Sequence, residues 1–268
     1  MDNQEPPEIH SHYTSVDVLP EFLKKEMPIY GTHYQFLNDR TEKLYALEKF
    51  DAYFEKTEYK DCLLHAQNIE FALYIASFST VADDLNLWRA YTPRGGFSIQ
   101  FEEKRIEMGW LAQEEKDQEI KRGRPGLFQD LGFRGVNSVR YTDKEIAAYA
   151  EKIKAKMDAL HLSCSSYKSA CVTYYRALFS CFVKHPAFKD EREYRVASVK
   201  TNCEKLEIIG GKPRTLLMTL DPNEAIKSIT VSPFGDFSQN ELFARLLCQR
   251  IGLDPSIVKK SSLCGIAR

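Results

Sequence analysis

A chain of 268 residues with 43% hydrophobic and 28% charged side chains holds enough apolar material for a sizeable core. A formal net charge of -1 excludes an overall electrostatic footprint for nucleic acid or a membrane surface. Seven cysteines, an odd number without C-x-x-C spacing, argue against a disulfide scaffold and a structural zinc site, so no metal ligand is assigned. No run of about 18 apolar residues occurs, and no membrane partner is expected. The acidic start, Met1 to Glu8, lacks the apolar stretch of a signal peptide, which points to a cytoplasmic, reduced protein.

In chain order, residues 1-11 read as a loose polar tail. Ser15 reads as the N-cap of a helix with Val18, Leu19, Phe22 and Leu23 on one face. Ile29 to Leu37 reads as a strand ending in the turn pair Asn38-Asp39. A helix from Thr41 is expected to bury Leu44, Leu47, Phe50 and Phe54, and a short one covers Asp61 to Glu70. Phe71 to Ser79 is a near-continuous apolar run, as in a strand buried on both faces. Asp83 to Tyr91 predicts a helix, Pro93 to Gly96 a turn, and Phe97 to Phe101 a strand. Residues 102-133 read as a charged insertion with a helix near Trp110 to Ile120 and a basic loop, Lys121 to Arg124. Val136 to Tyr141 returns as a strand.

Thr142 and Glu145 form a capping box for a helix with Ile146, Tyr149, Ile153, Met157 and Leu160 on one stripe. Ser166 to Val183 predicts a second helix that buries Tyr167, Cys171, Tyr174, Leu178 and Cys181. Strands follow near Tyr194 to Lys200, Lys205 to Ile209, Arg214 to Leu220 and Lys227 to Val231, with Gly210-Gly211 as a hairpin turn. Ser238 to Glu241 reads as a capping box for a helix burying Leu242, Leu246 and Ile251, closed by Gly252. A last small strand or loop falls at Ser256 to Ile266. The strands show no βαβ alternation. The expected class is α/β in mixed α+β order: a single domain over 12-268, with a central mixed β-sheet, whole or split, flanked by helices.

The densest chemistry lies in Lys184 to Arg195, with seven Lys, Arg, Asp and Glu side chains in twelve residues. If Glu193 to Val199, where this stretch runs into an apolar segment, is extended, alternation puts Glu191, Glu193, Arg195 and Ala197 on one face, and Tyr194, Val196 and Ser198 on the other. Two carboxylates and a guanidinium on a buried strand need compensation from a network or a ligand.

Four pieces in this order resemble a bacterial family known as domain of unknown function 2971: His12-Tyr13-Thr14-Ser15; Asn38-Asp39-x-x-Glu42; Ser77-Phe78-Ser79 with Leu87-Trp88-x-x-Tyr91 and Gly96 to Phe101; and Lys184, Phe188, Glu191, Glu193 and Arg195. Phe188 stands where Trp is common in that family. The Glu-x-Glu after an earlier Ser-x-Ser-Thr strand end is similar to the layout of ADP-ribosyltransferases, which cleave the glycosidic bond of NAD. That likeness implies a carboxylate at the ribose, Glu193, and a second, Glu191, that activates the acceptor. It implies NAD contacts from His12, Tyr13, Thr14 and Ser79, and a pyrophosphate contact from Arg195 or Arg40. It further implies NAD as substrate and a nucleic acid (RNA or DNA) or protein acceptor. The setting would be a toxin or phage-defence effector restrained by an antitoxin or chaperone.

Other readings of the same residues stay open. Glu191, Arg192, Glu193 and Arg195 also fit a cross-strand ion network on a solvated face. His12, Ser77 and Ser79 fit structural hydrogen-bonding roles, and Trp88 and Tyr91 fit the core. Asp39, Glu42, Glu191, Glu193 and Lys184 suit a Mg²⁺-dependent nuclease. A non-catalytic binding module of a defence or signalling complex needs none of this chemistry.

Overall fold

Strand β3 (Ala72–Ser79) is the hub of the sheet, because Leu73 to Ala76 is apolar on both faces and needs cover on each. The computed structural model describes residues 8–37, 42–66, 72–121, 135–161, 165–200 and 206–265. Within these, β3 is joined in one sheet by β1 (Ile9–Ser15), β2 (Met27–His33), β4 (Gly96–Glu102), β5 (Gly135–Ser138), β6 (Glu193–Lys200), β7 (Leu206–Ile209), β8 (Lys212–Leu220), β9 (Ile226–Val231) and β10 (Val258–Lys260). The β9–β10 pair is parallel and the others are antiparallel, so the sheet is mixed.

The sheet is also split. β6 fills one edge of β3 along its whole length, from Ala72↔Lys200 to Ser79↔Glu193. A strand has only two edges, so β1 and β2 must share the other. β1 meets it at Ser11↔Ser79 alone, and β2 at Thr32↔Ile75 and His33↔Tyr74. Between these contacts β1 and β2 part. β1 continues outward to β4, β9 and β10, and β2 to β8 and β7.

Each face carries its own apolar core. On one lie α1 (Leu19–Phe22), α5 (Glu103–Lys121) and α9 (Phe237–Ile251), which pack Phe22, Ile106, Trp110 and Leu247 against Phe97, Ile99, Val196 and Met218. On the other lie α2 (Glu42–Phe54), α3 (Lys60–Ala66), α6 (Asp143–Ala159) and α7 (Ser165–Cys181), packing Phe50, Phe54, Ile153 and Phe179 against Leu73, Ile75 and Ala197. Phe50 and Phe54 stack at 4.2 Å, one turn apart on α2. Burial of each such ring stabilises the fold by about 1.5–3 kcal/mol. The other α-helices among the described residues are the short α4 (Leu85–Tyr91) and α8 (Pro222–Ala225).

Several expectations are corrected. Ile9, His10 and Ser11, read as tail, begin β1, and Ser15 ends that strand instead of capping a helix. The seven-residue pairing of β1 with β4 outweighs its polar composition. Gly96, read as turn, opens β4 opposite Ser15. The helix expected near Trp110 to Ile120 is present but starts earlier, as α5 over residues 103–121, anchored by Ile106 and Trp110. The stripe on α2 is Glu42, Ala46, Phe50 and Phe54, with Leu44 exposed. Asp236, not Ser238, caps α9, and its inward face carries Ala244 and Leu247, with Leu242 and Leu246 exposed. Tyr167 is likewise exposed at the start of α7. The Thr142–Glu145 capping box and the left-handed Gly252 stand as read. Asn38, Asp39 and Arg40 and the loop Arg122 to Arg124 lie outside the described residues.

Candidate functional site

Where β1 and β2 part, the sheet opens into a cleft of about 840 Å³, within the usual size for a small-molecule site. Its lining includes His12, Tyr13 and Thr14 of β1, Ser77 and Ser79 of β3, Tyr91 of α4, Lys184, Glu191, Glu193 and Arg195. A smaller cavity of about 400 Å³, lined by Glu42 and Lys43, shares Leu37 and Ile75 with it.

The acidic side of the cleft is built from distant pieces of chain. Cys181 ends α7, and an isolated bridge between Val183 and Arg140 holds the chain that follows. His185 caps a 3-10 turn, Pro186–Glu191, by accepting from the Ala187 N–H at 3.2 Å. Arg192 then takes a left-handed conformation with φ 45°, and β6 begins at Glu193. Glu191 therefore precedes the strand that was expected to carry it. The reversal at Arg192 nonetheless keeps Glu191 and Glu193 in one ion network. By register, Glu193 lies beside Ser79 and Arg195 beside Ser77.

Arg195 is 1% exposed. Its Nη2 lies 2.5 Å from Glu42 and 2.5 Å from Glu193, and its Nη1 donates to the Cys181 carbonyl at 2.9 Å. Lys184 Nζ lies 3.0 Å from Glu191, 3.4 Å from Glu42 and 3.7 Å from Glu193. It also sits 4.7 Å from the Phe188 ring centroid. Tyr91 donates to Glu191 at 2.8 Å, and the Glu193 N–H donates to Tyr141 at 3.0 Å. Burial acts to lower both cations. For Arg195, Glu193 and Glu42 outweigh it, and for Lys184 the same two carboxylates do, so both are held above their ordinary pKa. Burial and the charges of Glu193 and Glu191 push the Tyr91 phenol well above its ordinary range. Three carboxylates, Glu42, Glu191 and Glu193, thus share two cations, Lys184 and Arg195. The group carries one formal negative charge in excess beside the cleft.

His12 performs a specific task at the split. Ser77 sits where the β3 edge lies between its partners, and His12 Nδ1 meets its carbonyl at 2.9 Å. The ring lies against Phe22 and Phe78, and burial pulls its pKa down to about 4, so it is a neutral donor at Nδ1. Tyr13 is engaged on α4. It donates to the Val81 carbonyl at 3.1 Å and meets Trp88 edge-on at 4.8 Å. Thr14 is buried in the β1–β4 ladder. Ser79 donates to the Glu191 carbonyl at 2.7 Å and so anchors the turn that presents Glu191.

Arg195, expected to meet a pyrophosphate, is enclosed by Glu42, Glu193 and Cys181 instead. The cations the cleft does offer are Lys212 and Arg214 on β8, separated from β6 by β2 and β3. Neither has a carboxylate within ion-pair distance among the described residues, and the buried Arg214 Nε has no hydrogen-bond partner. Glu207, across the β7–β8 ladder from Arg214, receives the Tyr30 hydroxyl at 3.0 Å. Burial lowers both pKa values, and Arg214 lowers that of Lys212 further. In the sequence only the two-residue spacing of Lys212 and Arg214 hinted at a shared strand face. Tyr91, read as core, and Tyr141 were also missed as members of the site.

The nuclease constellation is only partly assembled. Glu42, Glu191 and Glu193 do converge, but Lys184 and Arg195 stand among them as counter-ions, and Asp39 lies outside the described residues.

Residues 87–196, from α4 to β6, match the model of a family described as protein of unknown function (DUF2971). The resemblance to that family holds for this stretch, which carries Tyr91, Lys184, Glu191, Glu193 and Arg195. No curated protein and no solved structure matches the chain. Among the described residues no helix is long and apolar enough to cross a membrane.

Proposed function

We propose that the cleft takes NAD and that the chain is an ADP-ribosyltransferase with a nucleic acid or protein acceptor. One observation carries this reading: the charge polarity of a single cleft. Its Glu191–Glu193 side belongs to a network of three carboxylates and two cations, the third carboxylate, Glu42, lying behind it in the adjoining cavity, and its β8 side holds two cations without ion-pair partners among the described residues. NAD has the complementary pattern. Its nicotinamide ribose becomes cationic as the glycosidic bond breaks, and its pyrophosphate is anionic.

When the C1′–N bond breaks, the electron pair leaves with nicotinamide and positive charge develops on the ribose. Glu193, fixed by Arg195 and Lys184, supplies negative charge to that transition state without moving. The acceptor nucleophile bonds to C1′ and passes its proton to Glu191, the more exposed of the two carboxylates. Lys212 and Arg214 take the pyrophosphate. His12 keeps the split open through Ser77. A toxin or defence role, restrained by an antitoxin or chaperone, would suit such an activity.

The test is incubation with labelled NAD, RNA, DNA and lysate protein, with wild type beside Glu193→Gln. Label transferred by wild type and reduced by about 10²–10³ in the variant supports the reading. Folded wild type that neither transfers label nor releases nicotinamide overturns it.

A further inference from the structure

On the opposite face of β6 from the ion network, three ligand atoms converge that no reading of the cleft uses. Glu8, His10 and Glu103 each offer one, and all lie within 4.8 Å of one another. The β1–β4 ladder brings them together. His10 pairs with Phe101, and the Glu103 N–H donates to the Glu8 carbonyl at 2.9 Å where the ladder ends and α5 begins. His10 is 1% exposed and stacks on Tyr194 at 4.0 Å, yet neither ring nitrogen has a hydrogen-bond partner. Buried imidazole nitrogens are normally satisfied, so this orphan points to a group that would satisfy it.

We propose that Glu8, His10 and Glu103 bind one divalent cation, with Zn²⁺ the best match, as a structural clamp between β1 and the start of α5. His10 Nε2 lies 3.4 Å from Glu103 Oε2. That is long for a hydrogen bond, but it is the separation of two ligands each about 2.1 Å from one tetrahedral ion. A mixed set of one imidazole and two carboxylates suits Zn²⁺, whereas Mg²⁺ and Ca²⁺ favour oxygen alone. A proton shared between Glu8 and Glu103 would relieve their mutual repulsion, but it would leave His10 without a partner. The clamp would fix the start of the strand carrying His12 and Thr14. It would also hold the His10 ring against Tyr194, the neighbour of both Glu193 and Arg195. This inference does not rest on NAD chemistry.

The experiment strips the full chain with a chelator, reloads it with Zn²⁺ alone, desalts it, and measures zinc per chain and the thermal midpoint. Glu8→Gln and Glu103→Gln are run in parallel. Glu8 is exposed, so its variant tests the site without risk to the core. Wild type should keep one equivalent more than either variant, with affinity at least about tenfold higher, and only wild type should gain thermal stability from Zn²⁺. Equal retention and equal midpoint shifts in all three proteins would show that the cysteines bind the metal adventitiously, and would overturn the proposal. Absence of retained zinc and of any shift in wild type would overturn it too.

Discussion

Arg195 on β6 and Glu42 in the first turn of α2 meet at 2.5 Å with both side chains almost wholly enclosed. This pairing answers the question that a guanidinium on a buried strand raises, and it ties the helical layer to the strand that carries Glu193. Arg195→Met leaves Glu42 and Glu193 with only the more distant Lys184 as counter-ion, and should destabilise the fold by about 3–5 kcal/mol. Glu42→Gln should cost less, since Arg195 keeps Glu193. Urea denaturation of both variants and the double variant measures the coupling. A loss under about 1 kcal/mol for Arg195→Met would mean that the network is solvated.

The elements legible in the sequence were those whose signal is local. The Thr142–Glu145 box, the Gly210-Gly211 turn and the apolar run of β3 are each set by neighbours in the chain. β1 was not legible, because His10, Ser11, His12 and Thr14 are polar. They are placed in a strand by distant partners, β4 at its side and β3 at Ser79. The face of β6 was readable by alternation, so Glu193 and Arg195 could be singled out. Glu42 could be grouped with them as an acidic residue, but its pairing with Arg195 could not be read, and Tyr91 and Tyr141 were missed, because these three come from separate elements and converge only in the tertiary fold. A single sequence shows which charges must be compensated but not by which residue.

Acid should expose the two buried histidines. Burial pulls His10 and His12 each down to about 4, against about 6.5 in an unfolded chain. Between these values the unfolded state takes up protons that the folded state refuses. Their contribution is therefore complete above about pH 6.5 and is lost as pH falls towards 4. Urea midpoints of chelator-treated protein should drop across that window. His12→Asn should flatten the drop, and an unchanged slope would show that His12 titrates normally in the folded chain.

Arg192 carries strain at the turn between the two carboxylates. Its φ of 45° disfavours any residue with a Cβ, its side chain is exposed, and its carbonyl accepts from the Thr80 N–H at 3.1 Å. Arg192→Gly should therefore stabilise the fold, by up to about 1 kcal/mol. The gain is limited by the greater freedom of glycine in the unfolded chain. If the turn matters chiefly for aiming Glu191, the same variant should lose turnover while gaining stability. Denaturation and nicotinamide release, measured on one preparation, separate the two effects. A variant less stable than wild type would place the value of Arg192 in its side chain.

Lys212 and Arg214 offer the sharpest separation of binding from chemistry. They line the cleft without ion-pair partners, so their removal takes away no counter-ion from the described residues. Truncating Arg214 should even relieve a buried, unsatisfied Nε. Arg214→Ala and Lys212→Ala should therefore fold at least as well as wild type. If these cations hold the phosphates of the ligand in ground and transition state alike, each loss should raise KM roughly tenfold and leave kcat within a factor of two or so. ADP-ribose binding, followed by calorimetry, should weaken by the same factor, and steeply with added salt. Glu193→Gln should show the converse, with ADP-ribose bound as in wild type and turnover lost. Should Arg214→Ala and Glu193→Gln both bind ADP-ribose as wild type does, the anion is not held on β8. The two cations would then have to be explained without a phosphate.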